Sequence, residues 1–220
     1  AALKNQELNP NVAFSDSIQA GIYMKHPRII RIKADMVDQM DYDKILSMYQ
    51  DRFKDASDFT FIFVGNVDVE KMKPVIAEYL GALPAVNRKE TFKDNKIEMR
   101  QGIYKNEFTK QQETPKASVF AFYNGDCKYD LRNNLLLSMT SQILDLVYTE
   151  KVREDEGGTY GVYVGGTLQK YPKEKAILQI IFDTAPEKKE KLMKIIFGEI
   201  DNITKTGPSE ANLNKVKEYM

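Results

Sequence analysis

The chain carries one histidine, His26, among 220 residues, and that scarcity excludes more than any single motif includes. A zinc site usually takes three protein ligands and leaves a position open for water, so a lone imidazole cannot build such a centre here. Cysteine is equally scarce. Cys127 by itself precludes an intramolecular disulfide and leaves the redox compartment open. A nucleophilic thiol needs a neighbouring base, and no histidine lies near Cys127 in the sequence. It reads as a turn residue between a strand and a helix. Net charge is absent too: 32 Lys and Arg balance 32 Asp and Glu, which removes the electrostatic case for non-specific nucleic-acid or membrane-surface binding. No run approaches the roughly 18 consecutive apolar residues of a membrane helix, and the polar start from Ala1 to Pro10 shows no signal-peptide pattern.

What is present is ordinary globular composition, with 42% hydrophobic and 29% charged residues, enough for one large or two small domains. The stretch through Pro27 has little periodicity, and order is expected from Asp41. Asp41 then caps a helix whose Tyr42, Ile45, Tyr49 and Phe53 share one apolar face. The six-residue run from Phe59 to Val64 does not alternate and reads as a buried strand. From about Asp68 to Leu80 the pattern predicts a helix with Met72, Val75, Ile76, Tyr79 and Leu80 inward, closed by Gly81 and Pro84. A polar stretch follows, with a short possible strand at Gln101 to Phe108.

Beyond it, Ala117 to Tyr123 reads as a strand, Asn124-Gly125-Asp126 as a turn, and about Tyr129 to Arg153 as a long helix. Its expected apolar stripe is Leu131, Leu135, Met139, Ile143, Leu146 and Val147. Thr159 to Leu168 and Ala176 to Phe182, joined by a polar turn, have the grammar of a hairpin. Two more helices are expected, from Glu187 to about Lys205 and from Ser209 onward. The apolar stripe of the last reaches Met220 without a cap, so the chain is expected to be one piece of a longer protein. Phe59 to Leu83 and Ala176 to Pro208 echo one another as strand, turn, helix.

One constellation bears on chemistry. Arg153 ends the long helix and Tyr160 opens the next strand seven residues later, with Gly157-Gly158 between them free to turn the chain sharply back. A guanidinium presents a rigid donor fork and a phenol one donor, so the pair could hold a peptide carbonyl and stabilise its developing oxyanion. The bland alternative is an arginine meeting a helix macrodipole beside a tyrosine with β-propensity. Glu154, Asp155 and Glu156 suggest a metal cluster, but consecutive carboxylates diverge at a helix end and read as a solvated charge run. His26, in Lys25-His-Pro-Arg28, reads as a loop histidine.

Three ordered stretches resemble the pitrilysin/insulinase-type inverzincin zinc metallopeptidases. They are Tyr49-Gln-Asp-Arg-Phe53 with Asp58-Phe-Thr-Phe-Ile-Phe-Val-Gly-Asn66, then Tyr79-Leu-Gly-Ala-Leu-Pro84, then Val152-Arg-Glu-Asp-Glu-Gly-Gly-Thr-Tyr-Gly161. That family carries its zinc on an inverted His-x-x-Glu-His motif, which does not occur here. The resemblance implies an α+β, two-layer fold: an antiparallel-rich sheet packed against helices. It implies that residues 1–86 are the closing part of a third peptidase-like domain, 87–114 a connection, and 115–220 the opening part of a fourth.

By the same resemblance Arg153 and Tyr160 bind substrate backbone, with Tyr160 also a transition-state contact, and the chain itself binds no metal. Zinc then belongs to the N-terminal half of the parent chain, and the fragment alone is expected to be inactive. The substrate is a peptide or unfolded polypeptide, and a bacterial periplasmic or envelope location follows by family analogy. The two incomplete domains are expected to complement each other within one chain or in a swapped homodimer. The competing expectation is a non-catalytic partner subunit or scaffold of the same fold.

Overall fold

In the computed structural model, residues 1–154 and 161–220 are described, the side chains of 153 and 154 excepted. The chain divides into two compact units, one formed by Ala1–Leu8 with Ile30–Lys96 and the other by Asn9–Ile29 with Ile97–Met220.

The first unit holds helices α1 (Ala2–Glu7), α3 (Tyr42–Phe53) and α4 (Val69–Tyr79), with a 3-10 turn at Ala34–Gln39. Side-chain caps set two of the helix starts: Asp41 accepts from the Lys44 N–H and Asp68 from the Lys71 N–H, satisfying donors that a first turn leaves orphaned. Both helices begin where the sequence places them, and Gly81 ends α4 with its own N–H on the Ile76 carbonyl. The expected burial does not follow. Tyr42, Ile45, Tyr49 and Phe53 are all exposed, as are Val75 and Tyr79, leaving only Met72, Ile76 and Leu80 half-covered on α4.

The run from Phe59 to Val64 is not a strand. A strand exists by pairing its backbone with a neighbour, and among the described residues none pairs with it; Val64 is 93% exposed. The expected echo with Ala176 to Pro208 therefore has no strand in its first copy. A polar knot holds this unit instead. Asp55, buried, accepts from the Ser57 N–H and hydroxyl and from the Val86 and Arg88 N–H groups. Arg88 forks onto Asp51 and reaches Glu90 at 2.7 Å.

The second unit begins with α2 (Pro10–Tyr23), a helix in the stretch from which no order was expected. Its start is locally encoded: Asn9 caps it by accepting from the Asn11 N–H, and Pro10 supplies a first-turn φ without needing a donor. Neither signal is hydrophobic, which is why periodicity passes over it. Residues 101–108 form no strand, and Ile103 is 95% exposed.

The sheet contains β1 (Ala117–Asp126), β2 (Val162–Gln169) and β3 (Lys175–Thr184), antiparallel in the order β1-β3-β2. The hairpin of β2 and β3 forms as the two β-rich runs and the polar turn between them indicate, Val162 opposite Phe182 and Gln169 opposite Lys175. Asn124-Gly125-Asp126 is not a turn: these residues extend β1, opposite Ile177, Ala176 and Lys175. Lys175 adds an ion pair to Asp126 at 2.8 Å across that register.

Helix α5 (Leu131–Tyr148), capped by Asp130, packs on the sheet. Its buried face is Ser141, Leu144 and Tyr148, rotated from the expected stripe, of which Leu131, Leu135 and Leu146 are exposed and Ile143 is buried. Gly166 explains the rotation. A Cβ there would run into the Ser141 hydroxyl and stand 2.9 Å from Leu137 Cγ, so glycine lets α5 settle directly over β2. Leu192 and Ile196 of α6 (Lys189–Thr206) and Val216 of α7 (Glu210–Tyr219, capped by Ser209) are buried as well. The core thus lies between the sheet and α5 and α6, an α+β arrangement with an antiparallel sheet against helices.

Candidate functional site

The end of α5 is built more firmly than a helix end requires. After Tyr148 the backbone widens into a π-type turn, Thr149–Glu154, a form found mostly as single turns within α-helices and frequently at functional sites. Two fastenings run from this end to α6. The Tyr148 hydroxyl donates to the Ile196 carbonyl at 3.0 Å, and Lys151 Nζ meets Glu199 Oε1 at 2.6 Å. Burial first, and then the neighbouring Tyr123 and Glu199, push the Tyr148 phenol up, so it stays a neutral donor. Val152 is fully buried in the core beside it. On the far side Val162 and Val164 are buried in β2. The chain is therefore anchored at 148–152 and again from 162.

Arg153 has its backbone in the π-type turn; its side chain lies outside the described residues, as do Tyr160, Asp155, Glu156, the two glycines and Thr159. The π-type turn itself carries no sequence signature, since its residues continue an ordinary helical pattern.

The remaining candidates follow different elements. His26 sits in the turn after α2, where its Nδ1 accepts from the Arg28 N–H at 3.2 Å. Cys127 follows β1 and precedes the α5 cap, as the turn reading places it, with its Sγ 3.8 Å from the Lys128 carbonyl. Among the described residues no three His, Cys, Asp or Glu side chains gather to hold a metal ion. The donor set present does not fit zinc. No helix among the described residues is long and apolar enough to cross a membrane.

The fold agrees with comparison to known proteins. Residues 39–220 match the peptidase M16 inactive domain, and the chain belongs to that family. It is 20% identical over 230 residues to a zinc protease PQQL-like protein of Arabidopsis thaliana, covering 99% of this chain and 24% of that protein. Among solved structures, the periplasmic protease PqqL from Escherichia coli matches with a TM-score of 0.77 at 21% identity, over 99% of this chain and 24% of that one. The ferredoxin protease FusC, solved in complex with Arabidopsis ferredoxin, matches with a TM-score of 0.73 at 14% identity, over 98% of this chain and 23% of that one. The chain spans about a quarter of the length of these relatives.

Proposed function

We propose that this chain is the substrate-binding, non-zinc part of a zinc-dependent endopeptidase that hydrolyses peptides or unfolded polypeptides, the metal being held by the N-terminal half of the parent. The observation that carries the reading is the Arg153 to Tyr160 pattern at the end of a helix fastened to α6, in a chain of a peptidase family. An anchored flank suits a donor pair in transition-state stabilisation, because donors fixed in advance require no reorganisation as charge develops. In this reading Arg153 holds the substrate backbone through its donor fork. Tyr160 donates its phenolic hydrogen to the carbonyl oxygen that becomes negative. The relative solved with ferredoxin supports a protein substrate, and the periplasmic relative supports an envelope location for a bacterial parent.

Residues 1–86 and 115–220 then belong to two successive peptidase-like domains, each completed by another part of the parent or by a second copy. The exposed run Phe59 to Val64 supports this, since an apolar segment without a partner strand is suited to sheet pairing.

The test is cleavage of a quenched fluorogenic peptide by the full-length parent and its Tyr160→Phe variant, with zinc content measured in both. Turnover is expected to fall about a hundredfold, the scale of losing one oxyanion donor, with zinc unchanged. Equal turnover would remove Tyr160 from the mechanism. No cleavage of varied peptides by a folded, zinc-supplemented parent would favour the alternative, a non-catalytic partner subunit or scaffold.

A further inference from the structure

The geometry points to a second binding site, a cleft for a carboxylate at the C-terminal end of α2. This site uses neither Arg153 nor Tyr160 and is independent of the peptidase reading. The cleft has a volume of about 370 Å³, and its polar lining is Ser17, Lys25, Arg100, Tyr104 and Asn106, with no acidic side chain.

A helix C-terminus ordinarily repels anions through its unpaired carbonyls. Here each of the last ones is occupied. The Lys25 N–H donates to Ala20, Arg100 Nε to Gly21, the Arg100 N–H to Ile22 and the His26 N–H to Tyr23. Arg100 therefore spends its Nε and its backbone N–H on the helix, and its two terminal nitrogens remain as a fork.

That fork is held flat. The guanidinium lies over the Tyr104 ring at 4.1 Å from its centroid, and Tyr104 lies against Gly21, where a Cβ would come to 3.1 Å of the ring. Asn106 Nδ2 donates to Ser17 Oγ at 2.7 Å, which leaves the Ser17 hydrogen free to point elsewhere. The result is a preorganised fork in a cleft that Lys25 and Ser17 also line and that no acidic side chain lines. A planar fork of donors matches a carboxylate by two parallel bonds, and the volume suits one or two amino-acid residues. Two sources share this chemistry: the C-terminus of a peptide and a small free acid.

The experiment is a titration of the protein with N-acetyl-alanyl-alanine, with its C-terminal amide, and with succinate. It is followed by NMR at the Arg100 Nε–H and the Tyr104 ring. Saturable binding of either acid is expected, with the amide about tenfold weaker because it offers no charge to the fork. Tighter binding by the dipeptide would identify a chain end, and tighter binding by succinate a free acid; either supports the site. Lys25→Gln, an exposed side-chain change that leaves the Lys25 N–H on Ala20, is expected to weaken binding about fivefold, and Arg100→Gln to abolish it. Failure of both acids to saturate, equal affinity for the amide, or undiminished binding in Lys25→Gln would overturn the inference.

Discussion

The two units of this chain are held by opposite means. In the second, apolar side chains from β2, β3, α5 and α6 close over one another, with Leu144, Tyr148, Ile180, Leu192 and Ile196 at 2% exposure or less. In the first, no apolar side chain is buried, and Asp55, 5% exposed, is the covered centre. A core of the first kind is stabilised by surface removed from water. A knot of the second kind is stabilised by hydrogen bonds that each contribute little net but are costly to leave unmade. Good helix caps and an apolar face therefore make helices without making a core; a core needs a second surface.

The comparison breaks most readily at the large core. Leu144→Ala is expected to cost about 3 kcal/mol through a cavity that the sheet and α6 cannot collapse, read as a lowered Tm. Gly166→Ala should cost about 2 kcal/mol, because the added methyl meets α5 at Leu137 and Ser141. A loss under about 0.5 kcal/mol in either variant would show that the second unit tolerates local repacking.

The first unit should yield to a different substitution. Asp55→Ala removes the shared acceptor of four donors. Amide exchange is expected to accelerate at Val86 and Arg88 while the amides of β3 keep their protection. Equal acceleration in both would mean that the units unfold together.

Acid sharpens the same contrast. Hydrogen bonds from Lys54 and Arg88 hold the Asp51 carboxyl at about 2, and the Ser57 hydroxyl, with the Val86 and Arg88 N–H groups, holds Asp55 well below the usual carboxylate range. Both groups are depressed on folding. Their stabilisation is thus fully present above the unfolded value near 4 and is lost as pH falls toward 2. Exchange in the first unit should quicken across that window before exchange in the β3 strand does.

The smallest effect is expected at Val64. Its change to Thr should alter the stability of this chain by less than about 0.5 kcal/mol, since the side chain is almost wholly exposed. In the full-length parent the same change should cost more if this segment is paired there, and equal effects would argue against a completed sheet.

Helix starts were the most legible features, because a cap is a local contract between one side chain and an amide two or three residues on. Asp41, Asp68 and Ser209 fulfil it. The hairpin was legible for a similar reason, since two β-rich runs flank a short polar turn and pair as β2 and β3. The Asn9-Pro10 start of α2 was equally local but went unread beside a weak apolar pattern. Of the candidate site, the sequence supplied Arg153 and Tyr160 as a pattern, and the structure adds the π-type turn and the Tyr148 and Lys151 fastenings.

By itself, then, the sequence determined the helix starts, the helix periods, the hairpin and the scarcity of histidine and cysteine. All are matters of residue type and short spacing. Tertiary structure decided which apolar faces are covered, that Phe59 to Val64 stands unpaired, and that α5 turns toward β2 through Gly166. It also brought Arg100 back onto the end of α2, 79 residues away in sequence. Burial and pairing belong to two surfaces at once, and no run of residues specifies its partner.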